Sequence, residues 1–254
     1  MATTTATLAI GIDIGGPGIK GALVDVSTGE LMSERLKVPT PTGGEPGAIV
    51  TEVAAMVERF GDSTGKVPVG VCFPAVVLGG RTMSAANVSK KWIGLEAEKL
   101  FEKTLGRDIL FINDADAAGV AELQFGVAKG RTGLVILTTL GTGIGSAMLY
   151  DGVLIPNSEL GHLEIEGHDA EKRASFSAKE RGNLSWKAWA SRLQLYYSRV
   201  EALFSPALFI VGGGVSKESS EFLPLLKLNT PIVPAEHRNN AGILGAAWLA
   251  SRPR

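Results

Sequence analysis

Five short polar or glycine-rich segments hold the residue types that could do chemistry. Ile112-Asn113-Asp114-Ala115-Asp116 stands where the apolar run Asp108 to Ile112 gives way to an alanine-rich helical stretch. A carboxylate at such a junction can accept the proton of an attacking hydroxyl while the neighbouring amide holds a second hydroxyl. A helix also takes Asn or Asp as its N-cap there, so the junction alone leaves Asn113 and Asp114 as cap or as base and partner. Asp13-Ile-Gly15-Gly16-Pro17-Gly18-Ile-Lys20 and Leu140-Gly141-Thr142-Gly143-Ile-Gly145 are glycine turns between apolar runs, with Thr139 just ahead of the second. Backbone amides in such turns can face phosphate oxygens. Asp13 beside the first turn suits Mg2+, which favours a carboxylate together with water and phosphate oxygens.

Glu159-Leu-Gly-His162 supplies a polar pair able to bracket two hydroxyls, and Asn87 in the loop Ser84 to Ser89 is a further hydroxyl contact or a loop cap. Val211-Gly212-Gly213-Gly214-Val-Ser216 follows a strand and precedes a helical stretch, where it either seats a nucleotide or turns the chain. The long aromatic stripe Trp186, Trp189, Leu193, Tyr197, Val200 and Phe204 reads as core. Phosphoryl transfer asks a protein mainly to position groups and neutralise charge, so one carboxylate at the nucleophile suffices. The common nucleotide fingerprints are absent. No Gly-Lys-Ser/Thr tripeptide opens a helix, and the first two glycine turns lead into strands, whereas a dinucleotide fold needs a helix there.

These segments need elements to position them. Leu8 to Ile14 and Ile19 to Val26 read as strands flanking the first turn, and Leu134 to Leu140 and Ser146 to Tyr150 flank the second. Laying Asp13 over Thr139, an offset of 126 residues, aligns Gly15 with Gly141, Leu23 with Leu149 and Asp25 with Asp151 without a gap. The repeat predicts two similar α/β lobes. Helices are expected over Glu45 to Phe60, Ala115 to Phe125, Asn183 to Phe204 and Asn240 to Ala250, alternating with short strands at Val67 to Phe73, Asp108 to Ile112 and Leu208 to Val211. The expected division is a small lobe over residues 1–114, completed by a C-terminal helix within 240–254, and a larger lobe over 115–239.

The bulk composition narrows the function classes. The 254 residues carry a formal net charge of −1, which argues against a dedicated nucleic-acid binder. A single cysteine, Cys72 in an apolar run, reads as a buried small hydrophobe and fits a reducing, cytoplasmic setting. The N-terminus lacks the pattern of a secretion signal, and no apolar run reaches the length of a membrane span. The first strand begins within about ten residues of Met1, leaving no room for a helix-turn-helix.

Taken together, the five segments resemble the ROK family of sugar kinases, in the same order along essentially the whole chain. The resemblance implies an actin-like ATPase (ribonuclease H-like) hexokinase fold, α/β, with duplicated lobes and a sugar in the cleft. It implies Asp114 as general base, and Asn87, Asn113, Asp114, Glu159, His162 and Glu171 as sugar contacts. The phosphate or nucleotide would lie against Asp13, Gly15, Gly16, Gly18, Lys20, Thr139, Gly141, Thr142, Gly143, Gly213 and Gly214, with Mg2+ at Asp13. Many members carry a zinc-binding cysteine cluster after the Glu-x-Gly-His motif. The stretch Glu164 to Ser175 has no cysteine, so zinc is not carried over. That stretch, with Leu184-Ser-Trp186 and Leu203-Phe-Ser-Pro206, looks like the branch of polyphosphate glucokinases and glucomannokinases.

That branch implies transfer from inorganic polyphosphate, ATP or both to the 6-hydroxyl of glucose, with mannose as a second acceptor, in a homodimer. Lys90-Lys91, Lys172-Arg173 and Lys129 with Arg131 are candidate steps of a polyphosphate track, although charge pairs are commonly solvated faces. Pro17 stands where the family usually has Thr or Ser, so backbone amides must do the phosphate binding there. The alternatives are a non-catalytic sugar-binding or sensing protein, a kinase for an N-acylated hexosamine, and more remotely a dinucleotide oxidoreductase.

Overall fold

The computed structural model describes residues 7–61 and 66–253. The first six residues, part of the segment read for a secretion signal, lie outside the described residues, as does Arg254 of the expected C-terminal segment. The chain divides into two compact units, one of residues 1–121 with 240–254 and one of residues 122–239.

In the first unit, β1 (Leu8–Ile14) and β2 (Ile19–Asp25) form an antiparallel pair around the first glycine turn. β3 (Glu30–Leu31) and β4 (Leu36–Val38) both pair with β2. On the other side, β5 (Val69–Phe73) and β8 (Leu110–Asn113) extend the sheet in parallel, in the order β3-β2-β1-β5-β8. All five residues of β5 are buried, as a parallel strand covered on both faces requires. A small hairpin of β6 (Val77–Leu78) and β7 (Arg81–Thr82) lies between them in the chain.

Helix α1 (Pro46–Arg59) starts on a proline, whose missing N–H costs nothing in a first turn. It buries Ile49, Val50, Val53, Met56 and Val57. Helix α2 (Ala97–Leu105) ends on the left-handed Gly106 and sets Phe101 among Trp92 and Phe111. Helix α3 (Asp114–Phe125) follows β8 directly.

The C-terminal helix, Ala241–Ala250, is apolar all round and buries every residue from Ala241 to Ala247. It lies on β1 and β5 at backbone distance. A Cβ at Gly11 would stand 2.0 Å from the Ile243 carbonyl oxygen, and one at Gly70 would stand 2.0 Å from that of Ala246. Only glycine allows this seat.

In the second unit, β9 (Leu134–Leu140) and β10 (Ile144–Tyr150) repeat the antiparallel pair, and β11 (Val153–Ile155) edges the sheet. A hairpin of β12 (Glu164–Ile165) and β13 (His168–Asp169) leads into α4 (Ala170–Ala174) and α5 (Phe176–Arg181). Helix α6 (Trp186–Phe204) is capped by Ser185 and buries Trp189, Ala190, Leu193, Tyr196, Tyr197 and Val200. Trp186 and Phe204 of the expected stripe pack at its margin. β14 (Leu208–Gly212) and β15 (Ile232–Pro234) complete the sheet order β11-β10-β9-β14-β15, with α7 (Ser219–Phe222) between them.

The α/β class and the repeated strand, glycine turn, strand order are as expected. Three details differ. The ungapped offset of 126 holds for β1 over β9, which share one burial pattern. It fails at the next strand, where Ile19 corresponds to Ile144 because the second turn is one residue shorter. Asp13 faces Lys20 across the first pair, and Thr139 faces Gly145 across the second. A strand displaced by one residue would turn its buried face outward, so the turn length and register shift together. The unit boundary falls within α3, after Ala121. The first unit is therefore the longer one, because the first turns of α3 and the C-terminal helix pack with its sheet. Among the described residues, no helix is long and apolar enough to cross a membrane.

Candidate functional site

In the first unit the candidates gather at the carboxyl ends of three parallel strands, where open α/β sheets commonly bind ligands. The register sets Asp13 of β1 beside Cys72 of β5, Cys72 beside Ile112 of β8, and Phe73 beside Asn113. Lys20, facing Asp13 from β2, donates from Nζ to Asp13 Oδ2 at 3.0 Å. The Cys72 thiol donates to Asp13 Oδ1 at 3.6 Å. Burial, reinforced by the negative charges of Asp13 and Asp114, pushes that thiol well above its usual range. Cys72 is therefore an inert, buried filler.

Gly242, which the motifs did not single out, lets the C-terminal helix start against Asp13. Its Cβ would stand 2.9 Å from Asp13 Cγ and 3.0 Å from Cys72 Sγ. The finding that this helix abuts a site needs the tertiary fold; nothing local in the sequence marks it.

At the 113–114 junction the capping hydrogen bonds fall on Asn113. Asn113 Oδ1 accepts from Ala115 N at 2.8 Å and from Asp116 N at 3.0 Å, and Nδ2 donates to the Ala75 carbonyl at 3.0 Å. Asn113 is thus the helix cap, buried and held on both sides. Asp114 also accepts from Ala115 N, at 2.8 Å, but the cap does not depend on it. Its carboxylate stands at the helix N-terminus, where the backbone dipoles favour negative charge.

The first glycine turn closes with Gly15 N donating to Gly18 O at 3.0 Å, leaving Pro17 exposed at the tip. Gly16 is needed for proximity. Its Cβ would lie 3.0 Å from the Cβ of Asn87, which itself adopts a left-handed φ of 61°. A predicted phosphate turn and a predicted sugar contact are therefore neighbours. Lys90 and Lys91 follow that loop, with Lys91 paired to Glu45 at 2.8 Å.

In the second unit, Gly141 N donates to Gly143 O at 3.0 Å, leaving Thr142 exposed at the tip. Thr139 pairs in register with Gly212 of β14, and a Cβ at Gly213 would fall 2.6 Å from the Leu140 carbonyl oxygen. The third glycine cluster thus lies against the second glycine turn, and Ser216 Oγ closes it on Gly213 O at 2.8 Å.

Glu171 takes the other side of this turn. Its Oε2 accepts from Ile144 N at 3.1 Å and fills the place where a Gly143 Cβ would be, 2.2 Å away. Gly143 is small to admit that carboxylate. The Glu159 to His162 turn is fastened to β10, because a Cβ at Gly161 would meet Ile144 O at 2.1 Å. Ser146 Oγ accepts from Leu160 N at 2.9 Å and donates to Ser158 O at 2.7 Å. Neither Ser146, in β10, nor Ser158, in the loop after β11, carries a signature that sequence reading could find.

Glu159, His162 and Glu171 feel one another's charge. Desolvation raises the Glu159 carboxyl above its usual range, His162 opposes the shift and Glu171 adds to it. His162 is raised as well, first by its hydrogen bond from Nδ1 to Asp169 Oδ2 at 3.0 Å and further by Glu171 and Glu159. His162, Asp169 and Glu171 each bring one potential ligand atom within 4.8 Å of the others. Their atoms already serve one another and the backbone: Asp169 Oδ1 accepts from Glu171 N at 3.1 Å. The trio is a hydrogen-bonded array. Lys172 and Arg173 continue α4 from Glu171, and Lys129 and Arg131 lie in the exposed turns before β9.

The family model described as "ROK family" matches residues 9–175. The chain is 45% identical to the polyphosphate glucokinase of Mycobacterium tuberculosis (strain ATCC 25618 / H37Rv) over 97% of its own length and 92% of that protein's. The crystal structure of the inorganic polyphosphate/ATP-glucomannokinase from Arthrobacter sp. strain KM superposes with a TM-score of 0.93 at 52% identity, covering 97% of this chain and 99% of the other. A ROK family glucokinase from Streptomyces griseus, in complex with glucose and AMPPNP, matches with a TM-score of 0.80 at 26% identity, over 96% and 99% of the two chains. The fold is the actin-like ATPase fold of these sugar kinases, and the chain belongs to the ROK family.

Proposed function

We propose that this protein is a hexose kinase that transfers a phosphoryl group from inorganic polyphosphate, ATP or both to the 6-hydroxyl of glucose, with mannose as a second acceptor. The observation that carries the reading is the division of labour at 113–114. Asn113 caps α3, which leaves the cap independent of Asp114, and in this reading that carboxylate is the base that takes the hydroxyl proton. The names of the similar proteins favour the substrates: a polyphosphate glucokinase, a polyphosphate/ATP-glucomannokinase and a glucokinase bound to glucose and AMPPNP.

In this reading Asn87, Asn113, Glu159, His162 and Glu171 hold sugar hydroxyls, and both glycine turns with the Gly212 to Gly214 cluster hold the donor. Mg2+ fits a donor set of one carboxylate, Asp13, completed by water and donor phosphates. When bound, it would neutralise phosphate charge. Lys20 already neutralises one Asp13 oxygen, which suits binding of the metal through water. Zinc has no part in the reading, because residues 164–175 offer no cysteine and His162 Nδ1 is held by Asp169.

In this reading the chain acts as a homodimer. A cytoplasmic setting accompanies the single buried, reduced cysteine. The test is a product assay with glucose, mannose and an N-acylated hexosamine, each offered polyphosphate or ATP with Mg2+. Glucose 6-phosphate is the expected product. No transfer with any pair rejects the kinase reading, and transfer only to the hexosamine rejects the acceptor.

A further inference from the structure

We propose that Asp169 is a positioning residue for the sugar contacts, holding the His162 ring in one orientation and starting the helix that delivers Glu171. The proposal rests on the hexose-kinase reading for what His162 and Glu171 touch. The positioning itself rests on geometry.

The His162 side chain is 55% exposed and ends a short turn, so packing does little to fix its ring. The hydrogen bond between Nδ1 and Asp169 Oδ2 at 3.0 Å does so. The Asp169 side chain is 24% exposed and is itself anchored. It lies on β13, paired with Glu164 across a two-residue turn whose Glu166 and Gly167 both have positive φ, the geometry of a tight hairpin. Ala170 N donates to Leu163 O at 2.9 Å, closing the base of that hairpin. Asp169 Oδ1 then caps α4 by accepting from Glu171 N. One carboxylate therefore serves two candidate sugar contacts, one with each oxygen. An isolated surface pair would contribute little; a pair whose acid is also a helix cap at the next contact is a built device.

The chemistry follows from which ring nitrogen is held. A carboxylate at Nδ1 keeps the proton there, so Nε2 of the neutral ring is an acceptor and Nε2 of the charged ring is a donor. The groups acting on this ring are Glu159 from its own turn, Asp169 from β13 and Glu171 from α4, all acidic, and they favour the charged form.

The test uses the full chain with Asp169→Ala and Asp169→Asn. It follows glucose KM and kcat over pH, together with the His162 ring resonance by NMR, assigned with His162→Gln. Asp169→Ala should raise glucose KM on the order of tenfold, with a smaller change in kcat, and move the His162 titration to lower pH. Asp169→Asn keeps a good cap and a neutral acceptor, so KM should stay within about threefold while the titration still moves down. Unchanged KM in Asp169→Ala, or a raised KM with an unmoved titration, overturns the proposal. If the wild-type chain phosphorylates no hexose, the kinase reading falls instead, and the titration still decides whether Asp169 holds the ring.

Discussion

Alanine at Gly143 and at Gly141, two corners of one turn, should have opposite consequences. Neither glycine adopts positive φ, so the backbone tolerates alanine at both. At Gly141 an added Cβ meets nothing within 4 Å, whereas at Gly143 it lands 2.2 Å from Glu171 Oε2. The carboxylate must swing away, and Ile144 N loses its charged acceptor. Such a bond contributes about 1.5–3 kcal/mol. Replacing glycine returns about 0.4–1 kcal/mol through the unfolded chain, so Gly143→Ala should destabilise by about 1–2 kcal/mol. For a chain of this size that is a fall in Tm of roughly 2–8 °C.

Gly141→Ala should instead be neutral or slightly stabilising, and should raise the donor KM by crowding a phosphate oxygen. The assays are thermal unfolding and steady-state kinetics with glucose and donor varied separately. In a Glu171→Ala background the cost of Gly143→Ala should vanish, because the clash is gone. An equal loss of stability in both backgrounds, or equal effects at 141 and 143, refutes the reasoning.

Asp114→Asn should lower kcat by at least about 10²-fold while calorimetry still detects glucose binding; near-full activity sinks the assignment of the base. Activity should disappear on removal of Mg2+ and return with it, and should survive a zinc-selective chelator; loss on zinc chelation alone contradicts the donor set described. Gly70→Ala forces a Cβ to within 2.0 Å of the Ala246 carbonyl oxygen. Overpacking there should cost about 1–3 kcal/mol in denaturant unfolding, and wild-type stability would show that the C-terminal helix is not seated as described. His162 has a raised pKa in the folded state. Its contribution to stability is therefore full below the unfolded pKa and is lost as pH rises through the folded one; Asp169→Ala should flatten that slope in unfolding measured against pH.

Strong periodicity made much of the fold readable. β1 was recovered residue for residue, and the predicted helix Glu45 to Phe60 differs from α1 by one residue at each end. Helix α2 went unread because a Glu- and Lys-rich stretch with few core residues resembles a solvated loop. The hairpin of β12 and β13 has two-residue strands, too short for alternation to register. The same limit governs the site. Asn113 and Asp114 were visible as a pair, but which of them caps depends on hydrogen bonds that no spacing encodes. Gly143 read as a phosphate turn, whereas its contact with Glu171 spans 28 residues of chain. Asp169 acts through that same short hairpin of β12 and β13 and a helix cap, whereas Ser146 and Gly242 act on partners brought close by tertiary folding.

The glycine-lined seat of the C-terminal helix also sets an order of events during synthesis. The sheet that carries Asp13 is begun by β1, yet its cover is a helix made after every residue of the other unit. A nascent chain halted before Ala241 leaves the face around Gly11 and Gly70 open, a bare apolar surface of the kind chaperones and proteases recognise. Asp13 acquires its Gly242 neighbour only after the whole of residues 122–239 has been made. Chains halted there are thereby marked as incomplete beside Asp13.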